Sequence, residues 1–279
     1  MMEYRQMQIS DSLSHYLSML LDPSSPIRWV VAVGLNAVLL GLVAIAPKKL
    51  LTPAGLVHAW ILGVIVWGCL GWQGYAIVGF YFLVGSAVTR IGLAEKEAAG
   101  IAEKRSGARG PENVWGSALA GTICAIGALI FRELDVLQAV SLLWLGYVAS
   151  FATKLSDTTA SEVGKAYGKR TFLITTLQPV ERGTEGAVSL EGTIAGIVAS
   201  VAIAVLGWGV GAIDTIGIFY CIVAAFIATN FESAIGATFQ AQFEWLTNEV
   251  VNIINTLIGA IAAILLALAW LYGQSLLAA

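Results

Sequence analysis

Between Ala152 and Thr171 the chain reads ATKLSDTTASEVGKAYGKRT, setting Asp157 and Glu162 at the end of an apolar run and Lys165, Lys169 and Arg170 just beyond. Carboxylates suit Mg²⁺, which takes one or two of them together with substrate phosphates, and cations neutralise phosphate oxygens. At helical spacing Asp157 and Ser161 share a face, whereas Glu162 lies about 140° from Asp157. One straight helix therefore cannot chelate an ion with both acids. Either a bend at Gly164 brings them together or each serves a different ligand. The segment GKAYGKRT resembles the phosphate-cradling pattern G-x-x-x-x-G-K-[ST], but it is one residue short and has Arg170 in the hydroxyl position, so it is not a P-loop. The competing explanation of its cations is that they are solvated and merely set the orientation of the chain.

A second cluster, EKRSGARGPENVWG, gathers Lys104, Arg105 and Arg109 around Gly107 and Gly110. Pro111 suits a first helical position, and Glu112 and Asn113 fall in the turn whose free amides would face an anion. Glu112 also has a plain role, stabilising a helix N-terminus electrostatically. In NFESAIGATFQ, Glu232, Gly236 and Gln240 recur every four residues, and in LTNEVVNIINT, Asn248, Asn252 and Asn255 fall within about 60° of one another. Polar stripes in hydrocarbon face protein or a cavity, and helix-to-helix hydrogen bonding explains the asparagines equally well. The segment QPVERGTEGAVSLEGT is either a cover over these groups or a plain turn.

The elements that carry these groups must be membrane helices. Hydrophobic residues make up 58% of the 279 positions and charged ones 12%, about half the charge of a soluble domain. Eight apolar runs of near bilayer length are expected: 29–46, 54–70, 75–92, 114–131, 136–152, 189–207, 214–230 and 252–272. Hydrocarbon leaves backbone groups no other partner, and the runs lack the alternation of barrel strands, so the fold class is an all-α polytopic bundle. Residues 1–28 lack a basic start followed by an apolar core and are predicted to be a surface or interfacial segment, not a signal peptide. Residues 29–279 are predicted to form the transmembrane unit that carries the candidate catalytic groups.

With the N-terminus outside, only Arg5, Arg28 and Arg132 of the 15 Lys and Arg residues face outward, so the long connections near 93–113 and 153–188 are cytoplasmic. Cys69, Cys124 and Cys221 stand singly in apolar runs and read as packing residues, as does His58 with a hydrogen bond; the net charge of −3 gives no footprint for nucleic acid.

Several long motifs resemble those of the phytyl-phosphate kinases of cyanobacteria and plastids: KKLLTPAGLVHAWILG, TRIGLAEKEAAGIAEKRSGARGPENVWG, LSDTTASEVGKAYGKRTFLITT, RGTEGAVSLEGT and ESAIGATFQ. They stand in the same order from about Lys48 to Gly259. The family pattern has Ala and Trp where Ser156 and Thr159 stand here, and both acids survive. The resemblance implies an integral protein of a thylakoid, photosynthetic plasma or plastid membrane. It implies transfer of a phosphoryl group from a nucleoside triphosphate, CTP above all, to phytyl or geranylgeranyl phosphate, for tocopherol and isoprenoid salvage. Asp157 and Glu162 would hold Mg²⁺ with Glu232 as a further ligand, and Lys104, Arg105 and Arg109 would bind phosphates. Lys165, Lys169 and Arg170 would hold the nucleotide, with Glu112, Asn113, Ser161, Asn248 and Asn252 lining the site. The prenyl tail would lie between helices, open to lipid. Two rival readings are a prenyl alcohol kinase, in which Asp157 accepts the hydroxyl proton, and a transporter or flippase for a lipid phosphate or small anion, with SDTTASEVG and NFESAIGA marking related halves.

Overall fold

The computed structural model describes residues 25–278, without the side chains of Lys104, Ser106 and Ala278. The expected N-terminal segment lies outside the described residues up to residue 24. Its last three residues belong instead to the first helix, α1 (Pro26–Ile45), because Pro26 takes the first helical position and Ser25 the cap. The chain continues through α2 (Pro53–Val88), the short α3 (Leu93–Ala98), a 3₁₀ turn (Lys104–Gly107), α4 (Pro111–Glu133) and α5 (Leu137–Tyr167). Two three-residue strands follow, β1 (Thr171–Leu173) and β2 (Ala187–Ser189), then α6 (Leu190–Gly209), α7 (Thr215–Thr238) and α8 (Asn248–Ala278). Seven of these helices are long and apolar enough to span a membrane.

The 36-residue α2 contains two traverses. Gly71 has φ +71° and ψ −159°, outside the helical region, a backbone state that glycine alone adopts readily. The chain doubles back there: the rings of Trp67 and Tyr75 meet at 5.4 Å, and Arg90, just past the far end, donates to the carbonyl of Lys49, just before the near end, at 3.2 Å. The expected second and third spans are thus a tight helical hairpin, and eight traverses result. The break strands carbonyls in hydrocarbon, where an unpaired polar group is costly. Arg28 of α1, 4% exposed, donates from Nε to the Trp67 carbonyl at 3.0 Å.

α5 is the axis of the bundle. Of its most apolar stretch 72% is buried inside the molecule, against 17% for α1 at the periphery, and it touches α2, α4, α6, α7 and α8. Lipid supplies little hydrophobic drive between helices, so small residues that permit close backbone approach make the contacts. On α6, a Cβ at Gly192 would fall 2.5 Å from the Ala160 carbonyl oxygen of α5. Across the core an aromatic ladder links Tyr147, Phe151 and Tyr81, with ring centroids 5.0 and 5.5 Å apart, and the Tyr147 hydroxyl donates to Gly74 O at 2.7 Å. Cys69, Cys124 and Cys221 are free and buried, and Trp115 Nε1 donates to His58 Nδ1 at 2.9 Å, as packing roles require.

The turns at one pole are short: Gly71, residues 134–136 and residues 210–214. At the other pole lie the connections 89–110, 168–189 and 239–247, and the Lys and Arg bias places that pole on the cytoplasmic side.

Candidate functional site

At the cytoplasmic pole a cavity of about 1030 Å³ opens between the ends of α2, α4, α5, α6, α7 and α8. Its centre is the extension of α5. The apolar run of this helix ends near residue 152, and the helix continues without interruption to Tyr167, the continuation on which the helical spacing of Asp157 and Glu162 depends. Gly164 therefore introduces no bend, and Asp157 and Glu162 stay about 140° apart on one helix. Both border the cavity and both are buried, at 5% and 2% exposure.

Each acid has its own lysine. Lys154 Nζ, one turn before Asp157, lies 2.5 Å from Asp157 Oδ2 and donates to Asn252 Oδ1 of α8 at 2.7 Å. Glu162 bonds to Lys96 of α3, whose ammonium also donates to Thr89 O at 2.9 Å, while Lys165 Nζ stands 3.8 Å from the other carboxylate oxygen. Buried charges persist only when paired and hydrogen-bonded, so the two lysines explain how a helix with two acids is kept within the bundle. Glu232 of α7 interacts with both Asp157 and Lys154, and Glu185 lies near it. Among the described residues, neither Glu185 nor Glu232 forms a salt bridge.

Arg109 is held on the opposite wall. Its backbone is paired with the segment before α2, through Thr52 N to Arg109 O and Arg109 N to Leu50 O, both at 3.0 Å. Its guanidinium donates to the Tyr81 hydroxyl at 2.9 Å and stacks 5.0 Å from that ring, an arrangement that planar Arg makes and Lys cannot. Next to it, Asn113 accepts from Gly110 N at 3.0 Å and closes the start of α4, where Pro111 occupies the first helical position as expected. Arg105 bonds to Glu112 and to Asn113 Oδ1, the latter at 3.0 Å. Arg105 and Glu112 keep over 40% of their side-chain surface exposed and so form a solvated pair at the rim. Exposed pairs of this kind contribute roughly 0.2–1 kcal/mol.

The remaining sequence assignments divide. Ser161, Lys165, Asn248 and Asn252 border the cavity with the groups above; Asn248 accepts from Gln240, and Asn252 makes the helix-to-helix bond to Lys154. Lys169 and Arg170 are exposed and do not line it. α5 ends at Tyr167, and both residues stand in the turn between Gly168 and β1, facing solvent. The Lys104 side chain lies outside the described residues.

The segment 178–193 is a cover rather than a plain turn. β1 and β2 pair antiparallel, Arg182 Nη1 donates to Ala166 O at 3.0 Å, and residues 183–189 border the cavity. Gly186 fixes this hairpin to α7: its φ is +76°, and a Cβ there would meet Ser233 O at 2.6 Å and Ala237 Cβ at 2.5 Å. Gly186→Ala is expected to lift the hairpin, adding backbone strain of order 1–3 kcal/mol to the steric clash. Faster proteolytic cleavage within residues 174–186 would register it; unchanged cleavage would contradict the fixing role.

Three residues of the site go unnamed as site residues in the sequence reading: Lys154, Lys96 and Tyr81. Lys154 carries a legible signal, a cation one turn before an acid at the end of an apolar helix. Lys96 and Tyr81 reach the site from distant segments, which spacing along the chain does not encode.

Among the described residues, no three or more His, Cys, Asp or Glu side chains gather to hold a metal by themselves. The donors nearest one another, Asp157, Glu232 and the amide of Asn252, are all hard oxygen ligands. They fit a Mg²⁺-type ion that completes its shell with phosphate and water oxygens, and do not fit a zinc-type site. Glu162, engaged by Lys96 and turned away around the helix, stands apart from that set.

The comparisons agree with this architecture. The chain matches the family described as Integral membrane protein DUF92 over residues 36–260. It is 68% identical to the uncharacterized membrane protein sll0875 of Synechocystis sp. over 85% of this chain and 90% of the relative. With the chloroplastic protein VTE6 of Arabidopsis thaliana the identity is 44%, over 88% of this chain and 74% of the relative. An uncharacterized membrane protein of Methanocaldococcus jannaschii is 31% identical over 80% of this chain and 88% of its own length. No solved structure matches. The family match covers almost the same stretch as the motif resemblance, Lys48 to Gly259, and the cyanobacterial and chloroplastic relatives bear that resemblance out. An eight-traverse helical bundle with one polar cavity at its cytoplasmic pole, this chain belongs to the integral membrane protein DUF92 family.

Proposed function

We propose that the protein is a prenyl-phosphate kinase of a photosynthetic membrane, transferring the terminal phosphoryl group of a nucleoside triphosphate, CTP by preference, to phytyl or geranylgeranyl phosphate. The observation that carries this reading is the convergence of Asp157, Glu232, Lys154, Lys165 and Arg109 on one cavity of about 1030 Å³ at the membrane surface. That volume reaches the upper end of ordinary ligand pockets, roughly 300–1,000 Å³, and leaves room for a nucleotide and a lipid phosphate together. The motif resemblance and the 44% identity to chloroplastic VTE6 support the substrate class.

In this reaction an oxygen of the prenyl phosphate forms a bond to the terminal phosphorus of the donor, and the bond from that phosphorus to the bridging oxygen breaks. The products are a prenyl diphosphate and a nucleoside diphosphate. The attacking oxygen is already anionic, so no general base is required, and the obstacle is repulsion between phosphates. Positioning and charge neutralisation must supply the catalysis. Arg109, fixed by Tyr81 and by its backbone, presents a forked donor to the acceptor phosphate. Lys154, between Asp157 and Glu232, places a second cation across the cavity, and Lys165 a third. Asp157 and Glu232 would hold Mg²⁺, which supplies neutralisation of the phosphate oxygens and orients them. Glu162 holds Lys96 and Lys165 in place rather than joining that set.

The test is purified protein in lipid nanodiscs, supplied with phytyl phosphate or phytol and a panel of labelled nucleoside triphosphates. The expected result is labelled phytyl diphosphate from the phosphate and none from the alcohol, dependent on added Mg²⁺. Transfer to phytol would replace the reading with an alcohol kinase. Movement of lipid phosphate across liposomes without nucleotide consumption would replace it with a transporter.

A further inference from the structure

Behind Arg109 lies a second cavity, of about 100 Å³, between α1, α2 and α4. Apart from Arg109 and a few polar groups its walls are hydrocarbon, including Leu40, Leu62, Val78 and Val114. Four residues, Tyr81, Arg109, Asn113 and Ser117, line both cavities, so the apolar space begins where the phosphate-binding wall ends. The lining runs from Leu51 at the cytoplasmic mouth to Tyr75, a turn from the outer tip of α2. Along α2 alone, Phe82 to Tyr75 spans about 10 Å. A cavity so small and so long is narrow, which suits a linear hydrocarbon and excludes a fused-ring lipid. Asn36 also lines it, and its amide groups are satisfied by Ala32 O at 2.8 Å and by the Tyr75 hydroxyl at 2.9 Å, so no unpaired polar group there demands water.

We infer that this cavity takes the α-end of the isoprenoid chain of the acceptor, with Arg109 at the junction of head and tail. This rests on the prenyl-phosphate reading. A cavity of about 150 Å³ accommodates benzene, so roughly one isoprene unit fits within the space, and the rest of the chain must leave between α1 and its neighbours. The peripheral position of α1 allows that exit: Val38, Leu39 and Leu42 already face outward. Holding the first unit beside Arg109 would fix the phosphate relative to the donor, because a linear chain restrained at its head has little remaining freedom.

Gly79 makes the inference testable. It lines the cavity, and a Cβ built on it meets nothing within 4 Å, so a larger side chain can enter the space without displacing a helix. Gly79→Leu is expected to raise KM at least 10-fold for phytyl phosphate and for dimethylallyl phosphate, whose single isoprene unit would occupy the same space, while KM for the nucleotide stays within 2-fold. Gly79→Ala, which leaves most of the space free, serves as the control, and thermal unfolding in detergent identifies variants that are folded. Equal KM for phytyl phosphate in wild type and a folded Gly79→Leu would overturn the inference. Should no acceptor yield product, the kinase reading has failed, and equilibrium binding of labelled phytyl phosphate then tests the tail site alone. A 10-fold weaker affinity in Gly79→Leu supports it, and unchanged affinity overturns it.

Discussion

Asp157→Asn is expected to lower phytyl diphosphate formation by on the order of 10³-fold, the scale set by losing one preorganised electrostatic partner of a developing charge. The substitution is nearly isosteric, and its amide oxygen can still accept from Lys154, so the helix contact survives. What is lost is one of the two carboxylates that adjoin each other across α5 and α7. Glu232→Gln should fall into the same range, since on the proposed reading Glu232 and Asp157 would hold Mg²⁺ together with phosphate oxygens. Glu112→Gln, at the solvated rim, should cost less than 10-fold. Steady-state turnover in nanodiscs, with unfolding midpoints as the control for folding, separates these cases. Turnover of Asp157→Asn within 10-fold of wild type would remove Asp157 from the reacting centre.

The second large effect is on the fold itself. Lys96 is 1% exposed and Glu162 2%, so Lys96→Met leaves a buried carboxylate with only Lys165, at 3.8 Å, to offset it. Breaking a buried pair from one side costs about 3–5 kcal/mol, whereas removing both charges costs far less. The expected pattern is therefore a strongly destabilised Lys96→Met, and a Lys96→Met/Glu162→Gln double variant that regains most of the loss. Denaturation in mild detergent, read as a double-mutant cycle, measures the coupling directly. If the double variant were as unstable as Lys96→Met alone, the ion pair would not be what ties α3 to α5.

How much of this could be read from the sequence depended on the range of the interaction. The spans were legible because a run of apolar residues declares itself within about 20 positions, and even the hairpin in α2 appeared as two runs flanking GWQG. Its sharpness was not legible, because the turn depends on Gly71 leaving the helical region and on Arg28 arriving from another helix. The apolar run of α5 ends where its hydropathy falls, and the sequence leaves open whether the helix goes on. It continues for four turns because the polar residues there face a protein cavity and satisfy one another. The Asp157, Arg109 and Glu232 segments, which charge and glycine spacing single out, border one cavity. Lys169 and Arg170 do not border it, since position along a motif does not fix direction once the helix has ended. Strands of three residues are too short for a period of two to register, so the β hairpin that covers the cavity left no signal beyond its glycines.

The short turns at the outer pole carry a consequence for traffic. Among the described residues, the groups of the candidate site sit at one face, and the connections at the opposite face are a glycine bend and two brief turns. On the prenyl-phosphate reading, a lipid whose phosphate enters this cavity would be met from the inner monolayer. The reactions that supply such a substrate and consume its product would then share that leaflet, or depend on a separate scramblase.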